Sequence, residues 1–150
     1  MGNIRLDYLR DACGADDGLM AELVQIFMEQ ARALGPDLDA LLASADYDAL
    51  ARCAHKFRST ALSFGLDNVA EALKKIEVIG KKIFVTRPSS LANDAARRLY
   101  LGQINGLTPA IDMWTDAHLD HDSLARLIAL VKDEVSAAAA EAAQIVRYFY

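Results

Sequence analysis

Apolar positions along this chain recur at helical spacing over most of its length, and no stretch reads as a strand-rich region. The first long run follows Asp16 and Asp17, two acids suited to the positive N-terminus of a helix. From there Met20, Leu23, Phe27, Leu34, Leu38, Leu41 and Ala45 keep the period of a core-facing helix. Gly35-Pro36 interrupts the run, which predicts a bend rather than two separate elements. Ahead of it, Asn3 is placed to cap a short first helix ending near Arg10. Behind it, Asp46 opens a third helix with Tyr47, Leu50, Ala51, Ala54, Phe57, Ala61 and Phe64 on one face. Gly65 suits the C-terminal end of that helix.

A fourth helix is predicted from Asp67, with Val69, Ala70, Leu73, Ile76, Gly80 and Ile83 on its inner side. Arg87-Pro88-Ser89-Ser90 breaks the chain, and a fifth helix should begin near Ser90 and weaken at Gly102 and Gly106. Thr108-Pro109 reads as a cap followed by proline at the first helical position, opening a sixth. Asp120 or Asp122 caps the last one. In that last helix Leu124, Ile128, Val131, Val135, Ala138, Ala142, Ile145 and Phe149 step alternately by four and three, a heptad seam with small residues at its centre. Such a seam reads first as packing within the chain, on the bundle, with a dimer seam as the sharper alternative.

Composition agrees with an all-α fold in a single domain. The 150 residues are 53% hydrophobic, inflated by alanine, and only 7% aromatic. A net charge of −5 argues against a nucleic-acid-binding protein, which needs a basic face. No apolar run approaches the ~20 residues of a membrane span, and Met1 to Arg10 lacks the charged start and apolar stretch of a signal peptide. Cys13 and Cys53 have no metal-ligand spacing and make a poor disulfide case. A cytoplasmic protein is expected.

The chemistry concentrates in His55-Lys56-Phe57-Arg58-Ser59-Thr60-Ala61-Leu62-Ser63-Phe64-Gly65. At about 100° per residue, His55 falls roughly 120° from the centre of the apolar stripe, with Ser59 and Leu62 on the same flank. The histidine therefore faces solvent, where a partner protein can reach it. Arg58, one turn on, is close enough to act on the imidazole or on a group attached to it; its guanidinium pairs two phosphoryl oxygens. Ser59 is small and lets another backbone approach, while Leu62 offers an exposed apolar contact. Glu77 lies 22 residues after His55 on the following antiparallel helix, at a similar height above the Gly65-Leu66 turn. A carboxylate there would accept a hydrogen bond from one imidazole N–H and leave the other nitrogen's lone pair facing out. Between Asp46 and Val85 seven Lys/Arg face five Asp/Glu, so this helix pair is +2 in a chain of −5. Lys56 and Lys74 belong to that basic surface, to which an acidic partner pocket would be drawn.

These residues resemble the histidine-containing phosphotransfer (HPt) domain of multistep two-component phosphorelays. The family pattern, roughly His-x-Leu/Phe-Lys/Arg-Gly/Ser-small-small-x-x-apolar-Gly, is met by His55, Phe57, Arg58, Ser59, Thr60, Ala61, Phe64 and Gly65. Leu23 to Glu29 looks like the family's first bundle helix and Leu73 to Glu77 like its third, with Glu77 where the family places a Gln or Glu that bonds the histidine. Arg58-Ser59 stands where Lys-Gly is common, which keeps the charge and the small size. The resemblance covers about residues 17 to 83 and implies an antiparallel four-helix bundle with additional N- and C-terminal helices. Residues 17–105 would form the bundle core, completed by a helix from 90 to 105, and residues 106–150 an extension packed on it.

It also implies a role. His55 takes a phosphoryl group from one receiver-domain aspartate and hands it to another; Arg58, Ser59 and Glu77 assist, and Lys56, Leu62 and Lys74 lie on the docking face. The receiver of a response regulator or hybrid kinase would supply Mg2+, so no cofactor is expected of this chain. With no ATP-binding motif it would be a carrier and not a kinase. The alternatives are a docking module that binds or sequesters a receiver without transfer, and a homodimer built on the C-terminal seam. Asp112, Asp116, His118, Asp120, His121 and Asp122 cluster, but without a cation-loop glycine or a distant third ligand they read as an acidic interhelical turn. Cys53 reads as a small boundary residue, and Trp114 and Tyr148-Phe149-Tyr150 as packing residues. No hydrolase set of nucleophile, base and orienting acid is evident.

Overall fold

The computed structural model describes residues 4–149 apart from 6, 8, 10, 12, 15, 87–93 and 108. Among the described residues six helices have defined bounds: α1 (Asp17–Ala43), α2 (Tyr47–Ser63), α3 (Asp67–Thr86), α4 (Asp94–Asn105), α5 (Pro109–Asp116) and α6 (His121–Phe149). The described residues contain no strand. The starting signals act as local chemistry requires. Asp16, Asp46 and Asp120 accept hydrogen bonds from the amides of Leu19, Ala49 and Ser123, so each caps the helix that follows it. α1 runs unbroken through Pro36. The expected cap at Asn3 and the start near Ser90 fall outside the described residues.

Both short turns between the first three helices close in the same way. After α2, the Leu66 amide reaches back to the Ala61 carbonyl and the Gly65 amide to Leu62, with Gly65 at φ +73°. After α1, the Asp46 amide bonds Leu41 and the Ala45 amide bonds Leu42, with Ala45 at φ +54°. These tight reversals set α1, α2 and α3 side by side in alternating directions.

The fourth member of the bundle is α6, which packs along both α1 and α3 and closes the ring. It runs antiparallel to α1: Lys132 pairs with Asp39 at 2.6 Å, while Val146 lies beside Met28. This corrects the expectation that a helix from 90 to 105 completes a 17–105 bundle. Among the bundle helices α4 packs chiefly on α3, and its exposed Leu99 and Leu101 carry no stripe able to fill a core. The heptad seam does fill it: Leu124, Ile128, Val131, Val135, Ala138 and Ala142 are all buried. A homodimer through that seam is therefore not available to the folded chain, because the seam is already covered from within.

The core is layered by large side chains from all four helices. Phe27 packs tilted against Phe64 at 4.5 Å and against Phe57 at 6.2 Å between ring centroids, joining α1 to α2. Leu50, Leu73, Ile76, Ile79, Leu124 and Ile128 are fully buried around them, each contributing about 1.5–3 kcal/mol of transfer free energy. Gly80 lets α3 approach α2 closely, since a Cβ there would lie 3.1 Å from the Tyr47 carbonyl oxygen.

α4 and α5 follow α3 and lie outside the four-helix bundle, each packed on α3. Tyr100 packs edge-on against Phe84 at 5.6 Å and donates a hydrogen bond to Asp48. The buried Lys82 ammonium meets Asp116 at 2.8 Å, and Lys75 lies over the Trp114 ring, which stacks on His118. So three members of the acidic interhelical turn hold the fold together: Asp116 ties α5 to α3, His118 covers Trp114, and Asp120 caps α6. Trp114 itself packs half-buried against the core.

Candidate functional site

His55 lies on the outward flank of α2, its side chain 61% exposed, as the helical projection requires. Its Nδ1 is 2.9 Å from Oε1 of Glu77, which reaches across from α3. The α2–α3 turn makes this possible by setting the two helices antiparallel with residues 55 and 77 level. Glu77 is 4% exposed and lies among three cationic or imidazole groups. Oε1 receives His55 and, at 3.5 Å, the Arg58 guanidinium; Oε2 receives Lys81 at 2.6 Å. Burial by itself would raise the Glu77 carboxyl, but the hydrogen bonds and charges of Lys81 and His55 outweigh it and hold the group below its usual range. At neutral pH Glu77 is thus an anion and can only accept. The neutral imidazole donates from Nδ1, which leaves Nε2 with its lone pair.

A cavity of about 320 Å³ adjoins the imidazole. Its walls include His55 and Arg58 of α2, Lys74 and Lys81 of α3, Gln103 of α4 and Leu107 just after it. Three cations against one carboxylate make it a place that favours anionic groups.

Of the residues singled out in the sequence, His55, Arg58 and Glu77 come together, and Lys74 shares their cavity. Arg58 faces Glu77 rather than standing free beside the imidazole, with its side chain 23% exposed. Ser59 and Leu62 are exposed on α2. Lys56 turns the other way, toward α1, where it lines a separate cleft with Gln30 and Cys53. The Cys53 thiol is pushed up by burial and by Asp37, which opposes thiolate chemistry there. Sequence reasoning missed Lys81 and Gln103. Lys81 was within reach of it, four residues after Glu77 on the same helix face. Gln103 was not, because nothing local says that α4 returns along α3.

A sequence model of the Hpt domain matches residues 22–141, from within α1 to well into α6. The chain belongs to the Hpt domain family. The match takes in α4 and α5 and reaches the helix that closes the bundle, as the packing of α6 on α1 and α3 requires. No individual curated protein and no solved structure matches the chain. Membership associates the Hpt chain with histidine phosphotransfer in two-component phosphorelays, and hence with receiver domains. None of the described helices is long and apolar enough to cross a membrane.

Proposed function

We propose that this Hpt protein carries a phosphoryl group on His55 Nε2 between the aspartates of receiver domains. The observation behind it is the pairing of a 61% exposed imidazole with a buried carboxylate at 2.9 Å. In the first half-reaction the Nε2 lone pair attacks the phosphorus of a receiver's aspartyl phosphate. The N–P bond forms as the P–O bond to the aspartyl group breaks, and the aspartate leaves as a carboxylate. The ring keeps its Nδ1 proton and gains positive charge, which Glu77 balances at hydrogen-bond distance. A second receiver reverses these steps. Transfer between a nitrogen and an acyl oxygen needs no nucleotide, so the protein is a carrier and not a kinase.

Arg58 and Lys74 stand where they would meet phosphoryl oxygens, and Ser59 and Leu62 where a partner surface would rest. Mg2+ for the transfer comes with the receiver's acidic pocket. Cytoplasmic receivers are the partners this reading implies.

Phosphotransfer from a panel of phosphorylated receivers, comparing wild type with His55→Ala, tests it. An acid-labile, alkali-stable label that His55→Ala loses is the expected result. A receiver that binds the protein yet never labels it would assign a docking role instead.

A further inference from the structure

The carboxylate that orients His55 is itself held from outside the bundle. Lys81 Nζ lies 2.6 Å from Glu77 Oε2 and 2.6 Å from Gln103 Oε1. An ammonium group has donors and no acceptor, so Lys81 donates in both contacts. A hydrogen-bonded chain therefore runs from α4 to the imidazole through Gln103, Lys81, Glu77 and His55. Lys81 sits on a flexible four-carbon stem beside a cavity it could enter, and the Gln103 carbonyl gives its ammonium a second fixed partner. Gln103 is presented from a secured helix, because Tyr100, one turn earlier, is packed on Phe84 and bonded to Asp48.

We propose that Gln103 is a positioning residue for His55. It fixes Lys81 on Glu77, and Glu77 so held selects the imidazole tautomer with Nδ1 protonated and Nε2 bare. The inference rests on the phosphocarrier reading and extends it to an element outside the four-helix core. The charged groups facing the imidazole are Glu77, Lys81 and Lys74 from α3 and Arg58 from α2. Gln103 is neutral, so what it contributes is geometry and not field. Arg58 provides the contrast: at 3.5 Å it shares Oε1 with His55, so Oε2 is the oxygen through which the carboxylate can be steadied without competing with the imidazole.

The test uses the full chain with Gln103→Leu, which removes the acceptor at an exposed site, and Gln103→Glu, which keeps one at the same reach. Two quantities are read: the imidazole 15N shifts of His55 at mildly alkaline pH, which report the tautomer, and the initial rate of phosphotransfer from a labelling receiver. Gln103→Leu should lower the Nδ1-protonated fraction and slow transfer about fivefold, the scale of one ordinary intramolecular hydrogen bond. Gln103→Glu should restore both to within about twofold. Wild-type shifts in Gln103→Leu overturn the inference, and so does a slower rate with unchanged shifts, since that is a docking or structural effect. A wild-type protein that no receiver labels counts against the phosphocarrier reading, while the imidazole shifts still decide the coupling.

Discussion

At the scale of single residues the site depends on a buried carboxylate kept ionised by its neighbours. Glu77 titrates below its usual range in the folded protein: burial opposes this, and Lys81 and His55 overcome it. A group whose folded pKa is depressed stabilises the fold above its unfolded pKa, and that stability is lost as pH falls through the folded value. Glu77→Gln should therefore cost about 1–2 kcal/mol at neutral pH. The difference from wild type should shrink steadily as pH falls below the ordinary glutamate range and the native carboxyl takes up its proton. Urea unfolding of both proteins across that range checks it; parallel curves would mean that the charge on Glu77 does not matter. The same variant should slow phosphotransfer at least tenfold, because a neutral amide balances the developing imidazolium poorly. How much of this was legible in the sequence follows from distance along the chain. His55 and Glu77 are joined by one tight turn, so periodicity alone sets them level. Lys81 is one turn from Glu77 and could have been inferred, whereas Gln103 meets Lys81 only because α4 folds back along α3, and no local pattern encodes that.

At the scale of elements, the turns and close approaches decide how well the helices are aligned. Ala45 and Gly65 occupy equivalent positions after α1 and α2, both with positive φ, but only one is glycine. An alanine held in the left-handed region costs about 1–2 kcal/mol, partly offset by the smaller backbone entropy it loses on folding. Ala45→Gly should thus stabilise the protein by about 0.5–1 kcal/mol, seen as a higher urea midpoint at an unchanged slope. No gain would mean that the contacts of Ala45 outweigh the strain. Gly80 behaves in the opposite sense. A Cβ there lies 3.1 Å from a backbone oxygen that cannot move without shifting the start of α2, and the Ala51 methyl is close behind. Gly80→Val should destabilise by about 2–3 kcal/mol, read from the same unfolding measurement. Gly80 was placed correctly on the inner side of its helix by periodicity. Its reason for being glycine, an approach between two particular backbones, is not a property of one helix and was not readable there.

Over the whole molecule the Hpt fold builds its bundle from α1, α2, α3 and α6 and lays α4 and α5 against α3. Sequence reading found the helices but assigned the fourth place in the bundle to the nearest candidate and the last helix to an extension. The seam from Leu124 to Ala142 shows why: its spacing states that a partner exists and is silent on which one. Burial of those six residues against α1 and α3 identifies the partner as the chain itself. The two assignments predict different behaviour on truncation. If residues 17–105 were the folding unit, a chain ending at residue 120 would keep a cooperative core. With α6 as the fourth helix, the same truncation exposes the inner faces of α1 and α3, including Val24, Leu38, Leu73 and Ile76. That chain should lose cooperative unfolding, bind a hydrophobic dye and retain only part of its helical circular dichroism. The full chain should unfold in one transition and sediment as a monomer at tens of micromolar, because the surface that would make the dimer is spent on the bundle. A truncated chain with a sharp transition, or a full-length dimer that Val135→Asp dissociates without unfolding, would return α6 to the role of an external arm.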